Sequence, residues 1–123
     1  MSKSIELARP EIRKLVPYSA ASYQEGLTRL NANETPWPPP GGPDATSLNR
    51  YPPEKPDLLT AKLADYYGVT PDTLLVTRGS SEAIDLVIRS FCSAGKDAIV
   101  ICPPTFGMYR VYADIQGARV HEI

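Results

Sequence analysis

Apolar residues in the second half of the chain follow two alternating patterns. In three segments they recur every three or four residues, which is the spacing of one helix face. The helical positions are Leu59, Leu63 and Tyr66, then Ile84, Val87, Ile88 and Phe91, then Met108, Val111, Tyr112 and Ile115. Short apolar runs lie between these segments at 74–77 and 97–102, and residues 119–123 alternate between polar and apolar. The patterning predicts the order αβαβαβ over 57–123.

Turn residues bound these elements. Asp57 stands at a plausible N-cap of the first helix, and Gly68 stands where that helix is expected to stop. Gly95 ends the region of the second helix, and Gly117 ends the third helix, predicted over 106–116. Strands that alternate with helices of this length are typical of a parallel sheet with right-handed crossovers. The predicted fold class is therefore α/β.

Residues 1–56 follow a different pattern and are predicted to form an N-terminal arm. A short helical pattern covers 11–16 and is closed by Pro17. The chain has 13 prolines in 123 residues, about twice the usual share. Eight of them fall between Pro36 and Pro56. Proline removes a backbone donor and fixes φ, so the loop over 33–40 is predicted to be extended, without helix or central strand. The patterning alone leaves a linker and an ordered functional loop equally open.

Composition narrows the class of protein. There are 13 Lys and Arg residues against 14 Asp and Glu, which gives a net charge of −1 and no basic excess for nucleic-acid binding. The two cysteines, Cys92 and Cys102, lie in apolar contexts and are predicted to be buried free thiols. With one histidine, His121, the chain offers too few ligands for a Cys/His metal site.

Length, terminus and hydropathy add a second set of expectations. At 123 residues the chain is expected to form one small domain. The N-terminus runs into charged residues without an apolar stretch, and no run approaches the roughly 18 apolar residues of a membrane helix. We expect a cytoplasmic protein without a secretory signal.

Candidate chemistry lies where the predicted strands end, because ligands of open parallel sheets collect at the carboxyl ends of strands. Gly79, Ser80 and Ser81 follow the first run and open the second helix. This turn is either an anion site, most naturally for a phosphate, or an ordinary serine cap. It lacks the glycine pattern of dinucleotide sites and the Gly-Lys-Ser/Thr of P-loops.

Aromatic residues offer a second kind of candidate. Phe106 follows Pro103-Pro104 after the second run, so its ring either lies over a flat ligand or packs in the core. Tyr18 and Tyr51 carry hydroxyls that suit a ligand, although an isolated tyrosine is more often structural.

Several segments taken together resemble one family. They are Leu30-Asn-Ala-Asn-Glu-Thr-Pro-Trp-Pro-Pro39, Asn49-Arg-Tyr-Pro52, Leu63-Ala-Asp-Tyr-Tyr-Gly-Val69, Arg78-Gly-Ser-Ser-Glu-Ala-Ile-Asp85, the run from Arg89 to Ile99, and Cys102-Pro-Pro-Thr-Phe-Gly-Met-Tyr109. Their order and spacing resemble the amino-terminal part of histidinol-phosphate aminotransferases. These are pyridoxal-phosphate enzymes of the class II aminotransferase family with the aspartate-aminotransferase-like fold (fold type I). The resemblance implies the start of a three-layer αβα large domain, 57–123, preceded by the arm and Pro-rich active-site loop, 1–56.

The resemblance also implies roles for single residues on the cofactor side of the site. Ser80 and Ser81 match the turn that holds the cofactor phosphate, and Ser81 stands where relatives commonly carry Asp. Phe106 matches the aromatic residue that stacks on the pyridine ring, often a Tyr in the family. Tyr51 matches a tyrosine that reaches across a homodimer interface toward the partner subunit's cofactor phosphate. Stacking does not depend on a hydroxyl, so Phe106 keeps that part of the role.

On the substrate side, Tyr18 and the loop of Asn33 and Glu34 match segments that line the site. Enzymes of this kind are expected to transfer an amino group between L-histidinol phosphate and 2-oxoglutarate in histidine biosynthesis. Aromatic aminotransferases and threonine-phosphate decarboxylases share the fold and stay open as alternatives, as does a truncated, non-catalytic phosphate-binding module.

The resemblance covers about the first third of such an enzyme. None of the five lysines lies in the context of the family's Schiff-base lysine, so no catalytic residue is predicted within these 123 residues. The strand at 74–77 is expected at one side of the large-domain sheet and the next two at the other, with strands from later sequence between them. An isolated strand leaves backbone amides unpaired. We therefore expect the 123-residue chain alone to be inactive and poorly folded.

Overall fold

The computed structural model describes residues 3–18, 26–28, 30–41, 48–52 and 55–123. Two short helices open the chain, α1 (Lys3–Leu7) and α2 (Pro10–Arg13), and α3 (Asp57–Tyr67) is followed by a 3₁₀ turn at Pro71–Thr73. The remaining elements are α4 (Ser80–Phe91), β1 (Ala98–Ile101), α5 (Met108–Gln116) and β2 (Arg119–Glu122). The described chain is thus a mixed α/β structure, as predicted.

The chain divides into two compact units. The first contains Met1–Val16 and Thr77–Ile123, and the second contains Pro17–Val76. Two hydrogen bonds from Arg9 join the first sixteen residues to the later segment: its N–H donates to the Ser90 carbonyl at 2.9 Å, and its side-chain Nη1 donates to the Arg89 carbonyl at 3.0 Å. The predicted division into an arm, 1–56, and the start of a large domain, 57–123, concerns the family's whole fold and stays a prediction.

In the first unit, β1 and β2 form a parallel pair. Ala98 lies opposite Arg119 and Ile101 opposite Glu122, so four residues of each strand are in register. The predicted parallel pairing of the last two strands is confirmed. Helix α5 connects these two strands, as expected when parallel strands are joined by a crossover.

The core of this unit lies between α4, α5 and one face of the strand pair. Its buried members are Ile88, Cys92, Ala113 and Ala118, with Ile84, Ile99, Tyr112 and Val120 packed against them. The side-chain amide of Gln116 donates to the Cys92 carbonyl at 2.9 Å and closes the end of α4 onto α5. Cys92 is buried, as predicted. The prediction that Cys102 is buried is wrong: this residue follows the end of β1 and lies outside the core.

The predicted helix ends are partly confirmed. Gly68 and Gly117 adopt left-handed conformations directly after α3 and α5, with φ of 64° and 71°. The predicted N-cap at Asp57 is wrong, since Asp57 is the first helical residue and Pro56 precedes it as the cap. Helix α5 begins at Met108 rather than at 106, and α2 ends at Arg13 rather than at 16.

The predicted strand at 74–77 is not a strand in the described chain. Leu74 is extended, with φ −110° and ψ 139°, but the sheet contains β1 and β2 alone among the described residues. An extended segment becomes a strand only when a neighbour pairs with its backbone groups. The apolar pattern therefore predicted the extended backbone of Leu74, but it could not predict whether a neighbouring strand pairs with this segment.

The helical patterns also overstate burial. On α4, Ile88 is 5% exposed but Val87 is 57% exposed, and on α5 the exposed fraction of Ile115 is 62%. A periodic apolar stripe is broad, and the two described strands cover only part of it. Among the described residues, none of the helices is both long enough and apolar enough to cross a membrane.

Candidate functional site

The turn before α4 is built to leave donors available. Gly79 adopts φ 87° and ψ 175°, a region that side chains strongly disfavour, and helix α4 begins at the next residue, Ser80. No side chain among the described residues forms a capping hydrogen bond at this N-cap. The N–H groups of a first helical turn have no carbonyl partner within their helix, and the positive end of the helix dipole lies there. Ser80 is exposed and Ser81 is half-buried beside these donors.

Glu82 holds this turn in shape. Its Oε2 accepts the Arg78 N–H at 2.6 Å, while its Oε1 accepts from Arg78 Nε and Nη2 at 3.1 and 2.8 Å. The carboxylate thus bridges the residue before Gly79 and the first turn of α4. Hydrogen bonds from the Arg78 side chain, then from its backbone, lower the pKa of Glu82 below its ordinary 4.5. The same pairing raises the pKa of Arg78.

The Arg78–Glu82 brace was missed in the sequence prediction. In a capping box, a glutamate at the third position of a helix bonds the N–H of the N-cap residue; Glu82 stands at that position but bonds the N–H of Arg78, one residue earlier, so the spacing could have pointed to it. Because the two side chains carry opposite charges, the pair leaves the turn without an added net charge. The positive end of the helix dipole therefore remains the local attraction for an anion.

Phe106 lies in the link between β1 and α5, outside the core. Its side chain is 52% exposed, and its ring meets that of Tyr109 edge to face, with ring centroids 6.1 Å apart and an interplanar angle of 87°. In an edge-to-face pair each ring makes only part of its surface unavailable, so a half-exposed ring keeps surface for a further contact. The Phe106 ring is therefore not packed in the core of the described residues, and its stacking on a flat ligand stays a prediction.

In the second unit, a tight turn brings two predicted residues together. Ala32 and Asn33 both adopt positive φ, 63° and 52°, and place Glu34 against the segment that carries Tyr51. Glu34 Oε1 accepts the Tyr51 N–H at 2.8 Å, and Glu34 Oε2 accepts from Arg50 Nη1 at 3.0 Å. The loop over 30–41 contains neither helix nor strand, which confirms that part of the prediction.

The seven predicted site residues divide between the two units. Ser80, Ser81 and Phe106 belong to the first, and Tyr18, Asn33, Glu34 and Tyr51 to the second. Within the second unit, the structure brings Glu34 and Tyr51 into direct contact. The Tyr18 and Tyr51 side chains are exposed, at 85% and 64%. Their roles toward a ligand stay predictions, and Arg50 is a partner that the sequence did not indicate.

Comparisons with known proteins agree with this architecture. Residues 42–123 match the family described as "Aminotransferase class I and II". The chain is similar to the histidinol-phosphate aminotransferase of Pectobacterium atrosepticum, with 48% identity over 121 residues, which is 97% of this chain and 34% of that protein. It is similar to proteins of the same name from Xanthomonas euvesicatoria pv. vesicatoria, with 44% identity, and Aeromonas salmonicida, with 47% identity. These alignments cover 99% and 94% of this chain, and 34% and 33% of the respective relatives.

The chain therefore spans about a third of the length of the curated relatives that it matches. The match includes the turn before α4, the link that carries Phe106, and both strands of the parallel pair. Since the family match covers more than half of the 123 residues, the chain belongs to the class I and II aminotransferases.

Proposed function

We propose that these residues form the amino-terminal part of a histidinol-phosphate aminotransferase, which transfers an amino group between L-histidinol phosphate and 2-oxoglutarate in histidine biosynthesis. The observation that carries the proposal is the turn at Gly79, Ser80 and Ser81, which ends in an uncapped helix N-terminus. The family as a whole uses pyridoxal phosphate, and the names of similar proteins favour this substrate over those of other aminotransferases.

The residues present fit the proposed cofactor. A phosphate group accepts hydrogen bonds from backbone N–H groups and hydroxyls, and both kinds of donor meet at the start of α4. A planar pyridine ring needs an apolar or aromatic face, and the Phe106 ring is half exposed. When bound, the cofactor supplies the electron sink that amino-group transfer requires.

Each residue then has a stated task. Ser80 and Ser81 bind the phosphate through their amides and hydroxyls, and Phe106 stacks on the ring without contributing a hydroxyl. Tyr51 reaches the phosphate of the partner subunit in a homodimer, and its exposed ring fits that outward role. The loop of Asn33 and Glu34, with Tyr18, lines the side on which the substrate binds.

The test uses the complete protein that contains these residues, loaded with pyridoxal phosphate. We expect glutamate to form from L-histidinol phosphate and 2-oxoglutarate with a higher kcat/KM than from phenylalanine or tyrosine as donor. A preference for the aromatic donors would identify an aromatic aminotransferase. Release of carbon dioxide from threonine phosphate would identify a decarboxylase. Cofactor binding without turnover of any donor would favour a non-catalytic phosphate-binding module.

The phosphate site itself is tested by Ser80→Ala and Ser81→Ala. Loss of a hydrogen bond to a charged group weakens binding by about tenfold or more, so each variant that removes a phosphate contact should raise the cofactor Kd by that factor. Pyridoxal without phosphate should bind the wild type and the variants equally. A variant that leaves the Kd of pyridoxal phosphate unchanged would show that its hydroxyl does not contact the phosphate.

We also propose a homodimer and a cytoplasmic location for the complete enzyme. The homodimer follows from the assignment of Tyr51, which has a task only if a second subunit lies beside it. Sedimentation of the complete enzyme should give the mass of two chains. A monomer that is fully active would contradict the role given to Tyr51.

A further inference from the structure

The side chain of Glu34 is almost completely buried although it carries a charge. Its exposed fraction is 2%, whereas that of its ion-pair partner Arg50 is 37%. A carboxylate is rarely buried without compensation, because loss of water around a charge is costly unless other donors replace it. Two of the replacement donors come from consecutive residues, the Arg50 guanidinium and the Tyr51 N–H.

These contacts join two segments that are far apart in sequence. The Tyr51 N–H and the Glu34 carboxylate are 17 positions apart, and the Arg50 contact spans 16 positions. A third bond lies beside them, from Asn49 Nδ2 to the Thr35 carbonyl at 2.8 Å. Three consecutive residues, 49–51, are thus fastened to two consecutive residues, 34 and 35. Such a paired attachment fixes both the position and the direction of the chain entering Tyr51.

The positive φ values of Ala32 and Asn33 belong to the same arrangement. Asparagine tolerates the left-handed region better than most residues, whereas alanine does so at a cost. The turn that they form reverses the chain directly before Glu34. Glu34 follows this turn directly, so the positive φ values of Ala32 and Asn33 place its carboxylate beside residues 50 and 51.

We propose that Glu34 is a positioning residue for Tyr51: its buried carboxylate holds the 49–51 segment so that the Tyr51 hydroxyl is placed for the cofactor phosphate. This inference rests on the function proposed above for Tyr51. Glu34 does not need to touch the substrate in this role, because it acts through residues 50 and 51, to which its Oε2 and Oε1 are bonded. The loop that carries it can still line the substrate side.

The test is a double-mutant cycle in the complete protein. The variants are Glu34→Ala, Tyr51→Phe and their combination, and the measured quantity is the Kd for pyridoxal phosphate in titrations of the apoprotein. Each single variant should raise this Kd by about tenfold, the usual order for a lost hydrogen bond to a charged group. The double variant should be no weaker than Tyr51→Phe alone, because Glu34 acts through that hydroxyl.

Two further variants separate positioning from general destabilisation. Glu34→Gln keeps an oxygen acceptor for the Tyr51 N–H and loses the ion pair, so it should recover part of the affinity lost in Glu34→Ala. Glu11→Gln is the matched control, because the Glu11 carboxylate also faces an arginine, at 3.6 Å from Arg9 Nε, but is 70% exposed. It should leave the Kd unchanged. Thermal melting of each apoprotein shows whether a variant is folded at the temperature of titration.

The outcomes distinguish this inference from the function on which it rests. If the wild type binds no pyridoxal phosphate, the proposed function fails. If the wild type binds it and Tyr51→Phe weakens binding, but the effect of Glu34→Ala adds in full to that of Tyr51→Phe, then Glu34 does not act through Tyr51. An unchanged Kd in Glu34→Ala, or in Tyr51→Phe, would also overturn the inference.

Discussion

The backbone of Gly79 determines whether the turn before α4 can form. With φ 87° and ψ 175°, it occupies a region almost restricted to glycine, although a Cβ added there would meet no atom within 4 Å. The requirement for glycine therefore comes from the backbone itself and not from crowding. The sequence shows only a glycine before two serines, and helix caps without any ligand show the same pattern, so this requirement for glycine could not be predicted.

We expect Gly79→Ala to destabilise the fold by about 1–3 kcal/mol, the usual cost of forcing a side chain into such a region. The matched control is Gly107→Ala, since Gly107 is also uncrowded but has helical φ and ψ of −59° and −21°. That variant should be neutral or stabilising by about 0.4–1 kcal/mol. Urea unfolding of both variants of the complete protein measures the difference in the free energy of unfolding, and equal effects would contradict the argument.

Glu82 gives the same turn a dependence on pH. Because its folded-state pKa is lowered by the Arg78 hydrogen bonds, its contribution to stability is complete above the ordinary value of 4.5 and is lost as the pH falls through the lower folded value. The Arg78 amide should therefore be protected from hydrogen exchange at pH 7 and lose this protection in acid. In Glu82→Gln the protection should be weaker at pH 7 and nearly independent of pH. A difference between the proteins that grows on acidification would contradict this sign.

At the scale of elements, the helix α4 shows what a pattern can predict. The apolar spacing predicts this helix and its place before β1, and Ile88 is buried as that spacing indicates. The spacing could not predict that Val87 and Phe91 remain 57% and 39% exposed, because burial depends on what packs against the stripe. For the same reason 74–77 was predicted as a strand, although pairing, not hydrophobicity, defines one.

The core between α4 and α5 is small, so single side chains should matter in it. Ile88 is 5% exposed, and we expect Ile88→Val to cost about 0.5–1.5 kcal/mol and Ile88→Ala about 2–5 kcal/mol. The graded series separates loss of packing from other effects of substitution. Urea unfolding of the complete protein is the measurement. Two equal losses, or losses below about 0.5 kcal/mol, would show that Ile88 is not a core residue.

At the scale of the whole molecule, few large side chains are buried among the described residues. Four of the seven buried apolar residues are alanines, whereas Leu58, Val100 and Ile115 are 85%, 60% and 62% exposed. A stable domain buries more of its large apolar side chains than this, because their removal from water is the main stabilising contribution. The exposed set therefore indicates that these residues need further partners.

We accordingly expect the 123-residue chain alone to unfold without a sharp transition, to bind a hydrophobic dye, and to show no aminotransferase activity. Calorimetry and the glutamate assay measure this directly, with the complete protein as the control. A cooperative melt together with transaminase activity in the isolated chain would contradict the expectation.

The sequence predicts candidate ligand-binding residues, but it does not predict the residues that hold them in place. Ser80, Ser81 and Tyr51 are predicted from motifs, because residues proposed to contact a ligand recur at fixed places in a family's motifs, and their roles stay predictions. Arg50 and Glu82 were missed, because their task is to hold neighbours, and that task depends on distances in space. The division of the site residues between two compact units was equally invisible in the pattern.

The bonds from Arg9 to Ser90 and Arg89 have a consequence for the order of folding. The contact with Arg89 spans 80 positions, so it is strongly non-local. During synthesis Arg9 is therefore made 80 residues before this partner. Such distant contacts also form slowly, because a long loop must close before they contribute. The contacts of Arg9 are therefore completed only after residues 89 and 90 of α4 have been synthesised.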